Sequence, residues 1–388
     1  MTSVRAAVCG LGLTLALSAC PEKKTEAPPP PPPKPVVEAP KPPPPPPPEA
    51  EARAEKECAA PIDPGPVTDV KIGDRAAKLS GARLTFTEKD PDGLVLGVLG
   101  PVNEDSGSNI LALRKYLKFF KDEKADAIVV TGDVGEVASG ITRVLKELSA
   151  ANIPVFVVIG NRECRADYTD GVNGAKKDST TIVNLNEVRV VEFPELTLVS
   201  LPGYHEPNYI NCKTGCLYLK STVDEVVRAA KEGKTPVALV SHGPPHGSGN
   251  QALDFAGAGG NVGDENINKA IADGSIKFGF FSNIKEAGGR AASDAAGTAL
   301  LKEGQASTSL FLNPGPADTM GWEMNDGTKS VGMAAVFTFK EGQGSYKELR
   351  LKPMSAAEKA DAKKLDPPAP APEAPAPTPP APAPAPQK

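Results

Sequence analysis

The chain has 388 residues, a formal net charge of −5 and 42 prolines. Most of those prolines stand near the two ends and cannot all belong to a packed core, so the folded part is shorter than the chain. Acidic and basic residues are interspersed, which leaves no basic face for nucleic acid and no polybasic membrane patch, and so argues against nucleic acid as a partner.

Arg5 precedes an apolar stretch from Ala6 to Leu17. The stretch is too short to span a bilayer as a mature helix and has the length of a signal-peptide core, so residues 1–19 are expected to be removed. It ends in Leu17-Ser18-Ala19-Cys20, which resembles the bacterial lipobox, where cleavage leaves the cysteine as a lipidated N-terminus. The resemblance implies a membrane anchor at Cys20, because several acyl chains hold stably where a single one is marginal. Pro21 rather than Asp after the cysteine implies sorting to the outer membrane, by similarity to sorted bacterial lipoproteins. A plain secretory signal with an incidental Cys20 is the competing reading. Residues 20–60 are proline-rich with almost nothing apolar to bury. At about 3.1 Å per residue they predict a semi-rigid tether of roughly 100 Å at most.

Residues 61–352 read as one domain with alternating signals. Gly93 to Gly100, Ala127 to Asp133 and Val155 to Asn161 are short apolar runs bounded by turn residues, hence buried strands. Between them, Asn109 to Lys124 carries Ile110, Leu113, Leu117 and Phe120 at helical spacing, and Ile141, Val144, Leu145 and Leu148 mark a second helix. Later strands are VRVVEF, LTLVSLPG, VALVSHG, KFGFFSN, SLFLNPG, GMAAVFTF and KELRLK, with helices near Thr222 to Lys231 and Asp264 to Ala272. Early alternation predicts parallel pairing, and the closely spaced last strands predict antiparallel or mixed pairing. Residues 353–388 are rich in Ala and Pro and are expected to be disordered.

Of the 6 cysteines, Cys9 falls in the signal and Cys20 carries the lipid, which leaves Cys58, Cys164, Cys212 and Cys216. In an oxidising compartment these predict two disulfides, with three connectivities open. A zinc site at Cys212 and Cys216 lacks a second pair to complete it.

Several strands end in polar residues: Thr131-Gly132-Asp133, Ile159-Gly160-Asn161, Ser241-His242 and Ser282-Asn283. Ligands bind at the carboxyl ends of strands in open α/β sheets, because side chains from separate strands converge there. Asp, Asn and His at one point are the donor set for Mn, Fe or Zn. Each has a plain structural reading too. Asp133 suits a helix cap, Asn161 a tight turn, and His242 a hydrogen-bonded core histidine. His205, after Pro202-Gly203-Tyr204, ends another strand and is either a cleft contact or a surface loop residue. Trp322 reads equally as a sugar or partner contact or as a core anchor.

The ordered series from Leu94 to Phe339 resembles the calcineurin-like metallophosphoesterase family. Its Gly-Asp-x-x-(Asp/Glu) block is similar to Gly132 to Glu136, and its Gly-Asn-His-(Glu/Asp) block to Gly160-Asn161-Arg162-Glu163. The later strand-end His corresponds to His242, Gly-His-x-His to Ser282-Asn283-Ile284-Lys285, and the Asn-Pro-Gly turn to Asn313-Pro314-Gly315. The resemblance implies a four-layer α/β sandwich of two mixed sheets flanked by helices. It also implies a two-metal centre in which Asp133 bridges the ions and Asn161 and His242 ligate one of them. Against that pattern, Arg162 replaces the histidine that protonates the leaving group, and Asn283 and Lys285 replace two metal-binding histidines. The first block, Asp-x-His, is matched only by a shifted alignment offering Asp105, with Gly107 in place of its histidine. Asn283 offers at most a carbonyl oxygen, and Lys285 is expected to pair with Asp133, since a buried carboxylate without a cation is costly.

The sequence therefore points to an envelope lipoprotein with a largely dismantled dinuclear site, a pseudoenzyme binding a partner or an anionic ligand through Arg162, Lys285 and His205. Two alternatives stand beside it. One is a phosphoesterase using a single divalent ion (Mn, Fe or Zn) on Asp133, Asn161, His242, Asn283 and Asp105; the other is a structural head on a stalk.

Overall fold

Short β-branched runs buried on both faces build two mixed sheets in this computed structural model, which describes residues 56–89 and 91–367. The signal stretch, Cys20, the first part of the tether and the last part of the tail lie outside the described residues. A meander of β1 (Val67–Ile72), β2 (Arg75–Ser80) and β3 (Arg83–Phe86) leads into β4 (Leu94–Leu99) and α1 (Gly107–Asp122). Then follow β5 (Ala127–Val130), α2 (Ala138–Ser149), β6 (Val155–Val157), α3 (Arg165–Lys176) and β7 (Ile182–Asn184). Next come β8 (Val190–Glu192), β9 (Thr197–Leu201), α4 (Lys220–Glu232), β10 (Val237–Ser241), α5 (Glu265–Asp273) and β11 (Phe278–Phe280). The remainder is β12 (Arg290–Ala292), β13 (Leu300–Leu301), β14 (Leu310–Asn313), a small ribbon of β15 (Trp322–Glu323) and β16 (Lys329–Ser330), the hairpin β17 (Met333–Lys340) and β18 (Gln343–Arg350), and α6 (Ala356–Lys364).

One sheet has the order β18-β17-β4-β5-β6-β7 and the other β1-β2-β3-β8-β9-β10-β11-β14-β12-β13. In the first, β4 to β7 run parallel and β17 closes antiparallel on β4. In the second, β9, β10, β11 and β14 run parallel. Leu96, Val98, Val129 and Phe156 from one sheet pack with Leu198, Val240, Phe280 and Leu312 from the other, so the main core lies between them. Ile110, Leu113, Ile141, Leu145 and Tyr168 bury the outer face of the first sheet under α1 to α3. Val226, Ala229 and Ile267 do the same for the second under α4 and α5. This is the four-layer arrangement that the resemblance implies. Parallel neighbours share a direction, so their carboxyl ends line one edge of each sheet, and the site is built where those edges meet.

Folded structure extends past 61–352 at both ends. Cys58 is bonded to Cys216 and Cys164 to Cys212, with Cα–Cα distances of 5.6 and 5.3 Å. Ala60 N–H donates to Asn186 O at 2.7 Å, and buried Arg189 donates from Nη1 to Ala60 O at 2.8 Å. The segment 353–367, expected to be disordered, holds α6, opened by a capping box in which Ser355 and Glu358 satisfy each other's backbone N–H. Asp366 then accepts from Gly107 N–H at 2.8 Å, which caps α1 with the end of the chain. A Cβ at Gly107 would overlap the carbonyl of Ala362, so only glycine admits α6 there. Helix α3 was missed by periodicity because glycine interrupts it; a Cβ at Gly171 would stand 2.6 Å from Ile141 Cβ, and its absence lets α2 and α3 approach.

Candidate active-site cleft

Strand β5 runs out through Gly132 and Asp133, both in the left-handed region with φ of 99° and 56°. Asp133 is therefore not a helix cap; α2 begins after Val137. The turn folds its carboxylate back under the loop that follows β6, where Oδ1 accepts the N–H groups of Asn161 and Arg162, both at 3.1 Å. Close approach makes glycine necessary on both loops: a Cβ at Gly132 would lie 2.7 Å from His242 Nδ1, and one at Gly160 would overlap Asp133 Oδ1.

His242, fully buried past the end of β10, bridges the two sheets. Its Nδ1 lies 2.8 Å from Thr131 O, an acceptor only, so Nδ1 carries a proton. Its Nε2 lies 3.0 Å from Asn161 Oδ1 and 3.4 Å from Asp133 Oδ1. The Asn161 amide is oriented by its Nδ2, which donates to Tyr209 O at 2.7 Å, so its oxygen is the atom that faces the imidazole. Nε2 thus faces two acceptors, and with Nδ1 already donating the arrangement favours the imidazolium form. Burial would depress the imidazole pKa, but the Asp133 carboxylate, together with its hydrogen bond, holds it above the ordinary value. Burial would likewise raise Asp133, yet His242 first and then Lys285 and the Arg162 N–H hold it low. Sequence reasoning passed over Glu163 as a site residue, although it closes the second of the quoted blocks. Fully buried, it accepts from Val134 N–H at 2.6 Å and Gly160 N–H at 3.0 Å, tying the two loops together, and burial followed by the Asp133 charge pushes its pKa up.

The edge formed by β4, β11 and β14 is built differently. Beyond β4, Asn103 (φ 64°) donates its N–H to Asp133 O at 2.8 Å, while its side-chain amide donates to Asp318. Asp318 also accepts from Met320 N–H at 2.9 Å and Trp322 Nε1 at 2.8 Å. Neither Asn103 nor Asp318 stood out in the sequence; Asp318 follows the Asn313-Pro314-Gly315 turn, the one signal that brings it near the site. Lys285 does not pair directly with Asp133. Its ammonium lies over the Trp322 ring, 5.1 Å from the centroid, and acts on Asp133 and Asp318 only through its field. Asn283 (φ 57°) is a hydrogen-bond neighbour of the buried Tyr204 hydroxyl, whose pKa burial pushes above the ordinary value while this contact pulls it down in part.

Above these residues opens a cleft of about 300 Å³ lined by Asn161, Tyr204, Tyr209, Asn283, Lys285 and Trp322, among others. Arg162 follows the cleft-lining Asn161 in the chain but is not itself among the lining residues, and its guanidinium pairs with Glu136. Asp105 turns to Arg143 on α2, at 3.3 Å from Nη1, and Arg143 in turn holds Leu365 O beyond α6. His205 packs its ring at a tilt against that of Tyr204, with centroids 4.5 Å apart, and is not among the cleft-lining residues.

The donor set does not fit two metal ions. Among the described residues no three His, Cys, Asp or Glu side chains come together in a way that could hold a metal. The first-block position is taken by the Asn103–Asp318 pair and the last by an ammonium. One feature does point to a missing cation: Asp133 Oδ2 is buried with no partner.

The model of the calcineurin-like phosphoesterase family matches residues 105–278. No protein of curated function matches the sequence. Among solved structures, TT1561 of Thermus thermophilus is similar at 12% identity over 66% of this chain and 98% of that one, with a TM-score of 0.45. A dimetal phosphatase from Danio rerio is similar at 15% identity over 67% of this chain and 99% of that one, TM-score 0.42. GAP50, the anchor in the inner membrane complex of Plasmodium, is similar at 13% identity over 70% and 96%, TM-score 0.38. The matched residues include the strand-end blocks that carry Asp133, Asn161 and His242, and over that stretch the chain is similar to the calcineurin-like phosphoesterase family.

Proposed function

We propose that this chain is a lipid-anchored protein of the outer membrane, tethered through Cys20, whose phosphoesterase-type centre is dismantled and whose cleft binds an anionic small molecule or an envelope partner. The observation that carries this reading is the internal pairing of Asp133 with the His242 imidazolium. Two-metal hydrolysis needs ions to clamp the phosphoryl oxygens and to activate a water. Here the retained carboxylate meets a protonated side chain, and Lys285 stands where another ligand is required. The open cleft supports ligand binding over a purely structural head on a stalk.

A second reading, a phosphoesterase with one divalent ion (Mn, Fe or Zn) on Asp133, Asn161, His242 and Asn283, is favoured by the orphaned Asp133 Oδ2. Elemental analysis of protein purified without chelator, combined with turnover of an aryl phosphodiester in added Mn, separates the two. Substoichiometric metal and no turnover are expected. Stoichiometric metal with activity lost in Asp133→Asn would overturn the non-catalytic reading. For the anchor, Cys20→Ser is expected to release the protein from the membrane fraction, and unchanged membrane association overturns it.

A further inference from the structure

Lys285 is 8% exposed, and among the described residues no carboxylate pairs with its ammonium, which lies over the Trp322 ring. The ammonium has three N–H donors and no hydrogen-bond partner among the described residues, and Lys285 lines the cleft, where an acceptor can meet it. Tyr209 on the cleft wall is 53% exposed, set edge to face with Tyr204 at 6.5 Å between centroids. At the rim, Asn211 is exposed and its amide has no hydrogen-bond partner among the described residues. The volume of about 300 Å³ is at the small end of ligand sites.

From these residues we infer that the cleft holds an acidic saccharide, a sugar ring bearing one carboxylate. The inference rests on the cleft-binding reading above and names the class of ligand. The carboxylate accepts from Lys285 Nζ, the ring lays its C–H face on Tyr209, and hydroxyls meet the Asn211 amide. A single negative charge is what the surroundings admit. Asp133 and Asp318 already draw on the field of Lys285, and Glu286 lines the same cleft, so a phosphate dianion meets one ammonium and several carboxylates. A neutral sugar would leave the ammonium without its acceptor.

Trp322 is the chain's single tryptophan and touches Lys285, so its emission reports on the cleft. The experiment is titration of the full chain with methyl glucuronide, methyl glucoside and inorganic phosphate. A saturable change with the glucuronide is expected, at an affinity at least ~tenfold above the glucoside, as a charge-assisted hydrogen bond implies. Phosphate is expected not to displace it. Lys285→Met is expected to abolish the preference for the acid, and Tyr209→Ala, at an exposed position, to weaken both glycosides without changing thermal unfolding. Equal affinity for the two glycosides, no response to either, displacement by phosphate, or a preference that survives in Lys285→Met overturns the inference. Turnover of the aryl phosphodiester is a separate readout. Silence toward the glucuronide without turnover sinks the ligand class alone, and glucuronide binding with turnover sinks the non-catalytic reading alone.

Discussion

The two edges of the cleft have diverged by different routes. At the β5, β6 and β10 ends Asp133, Asn161 and His242 point at one another. The Asn161 and Asp133 oxygens lie 3.0 and 3.4 Å from the same imidazole nitrogen of His242. At the β4 and β11 ends no such set survives, and the space is rebuilt as Asn103, Asp318, Trp322 and Lys285 joined by hydrogen bonds and a cation–π contact. The difference shows that a buried carboxylate can be met by positive charge in two ways: by a side chain at hydrogen-bond distance, as His242 meets Asp133, or only through the field of a more distant ammonium, as Lys285 acts on Asp318.

The sharpest way to break that contrast is His242→Ala. It removes the cation from a buried carboxylate and opens a void between the sheets, and breaking a buried pair from one side costs about 3–5 kcal/mol. Denaturant unfolding is the measurement. The double variant with Asp133→Asn is expected to lose less than the two single changes summed, because the pair acts as a unit. A loss under about 1 kcal/mol for His242→Ala would mean that the imidazole is neutral and that its pairing with Asp133 is incidental.

Next in size is Gly107→Ala. Gly107 stands where the shifted alignment puts the family's histidine, and its missing Cβ is what seats α6 against α1. Forcing a methyl group into a closed contact costs about 1–3 kcal/mol. Because Asp366 caps α1 from the same segment, the change is expected to expose residues beyond Pro353 to limited proteolysis while the remaining domain stays folded. Unchanged protection would mean that α6 docks independently of that contact.

The pH dependence of stability sharpens the comparison further. His242 binds its proton more tightly folded than unfolded, so its contribution is complete below the ordinary value of 6.5 and is lost as pH rises through the higher folded value. Asp133 is shifted the opposite way. Its contribution is present above 3.8 and is lost as pH falls through the lower folded value. Thermal unfolding is therefore expected to be most resistant between these limits, and the alkaline fall is expected to vanish in Asp133→Asn, where no carboxylate holds the imidazolium.

The inner strands and their parallel pairing were legible because they are continuous apolar runs closed by turn residues and alternating with helices, as in AIVV and VALVS, while the sandwich itself followed from the family resemblance. The residues of the retained edge were legible for the same reason: each ends such a strand. What was not legible sits where pattern and structure part. β1 and β2 lie at a sheet edge with one face in water, and their sequences VTDVKI and RAAKLS carry little apolar periodicity. α3 is broken up by glycines that serve packing. In the rebuilt edge, Asn103 and Asp318 are 215 residues apart, and only the fold brings their amide and carboxylate together. The expected Lys285 to Asp133 pair is absent: the ammonium lies over the ring of Trp322, for which the sequence left a partner contact and a core anchor equally open.

The smallest expected effect lies at Arg162, which occupies the place of a catalytic histidine. Its pair with Glu136 joins side chains 32% and 61% exposed, so water and salt screen most of the attraction. Glu136→Gln is expected to change stability by no more than about 1 kcal/mol. The same substitution frees the guanidinium, one residue along the chain from the cleft-lining Asn161, and with it one positive charge that the wild-type chain keeps neutralised. In the tryptophan titration it should raise affinity for the glucuronide modestly at low salt and not at high salt, since the added attraction is long-range. A salt-independent gain would instead place Arg162 in direct contact with the ligand. Arg162 would then belong with Lys285 as a binding residue, and its loop could no longer be set apart from the rebuilt edge.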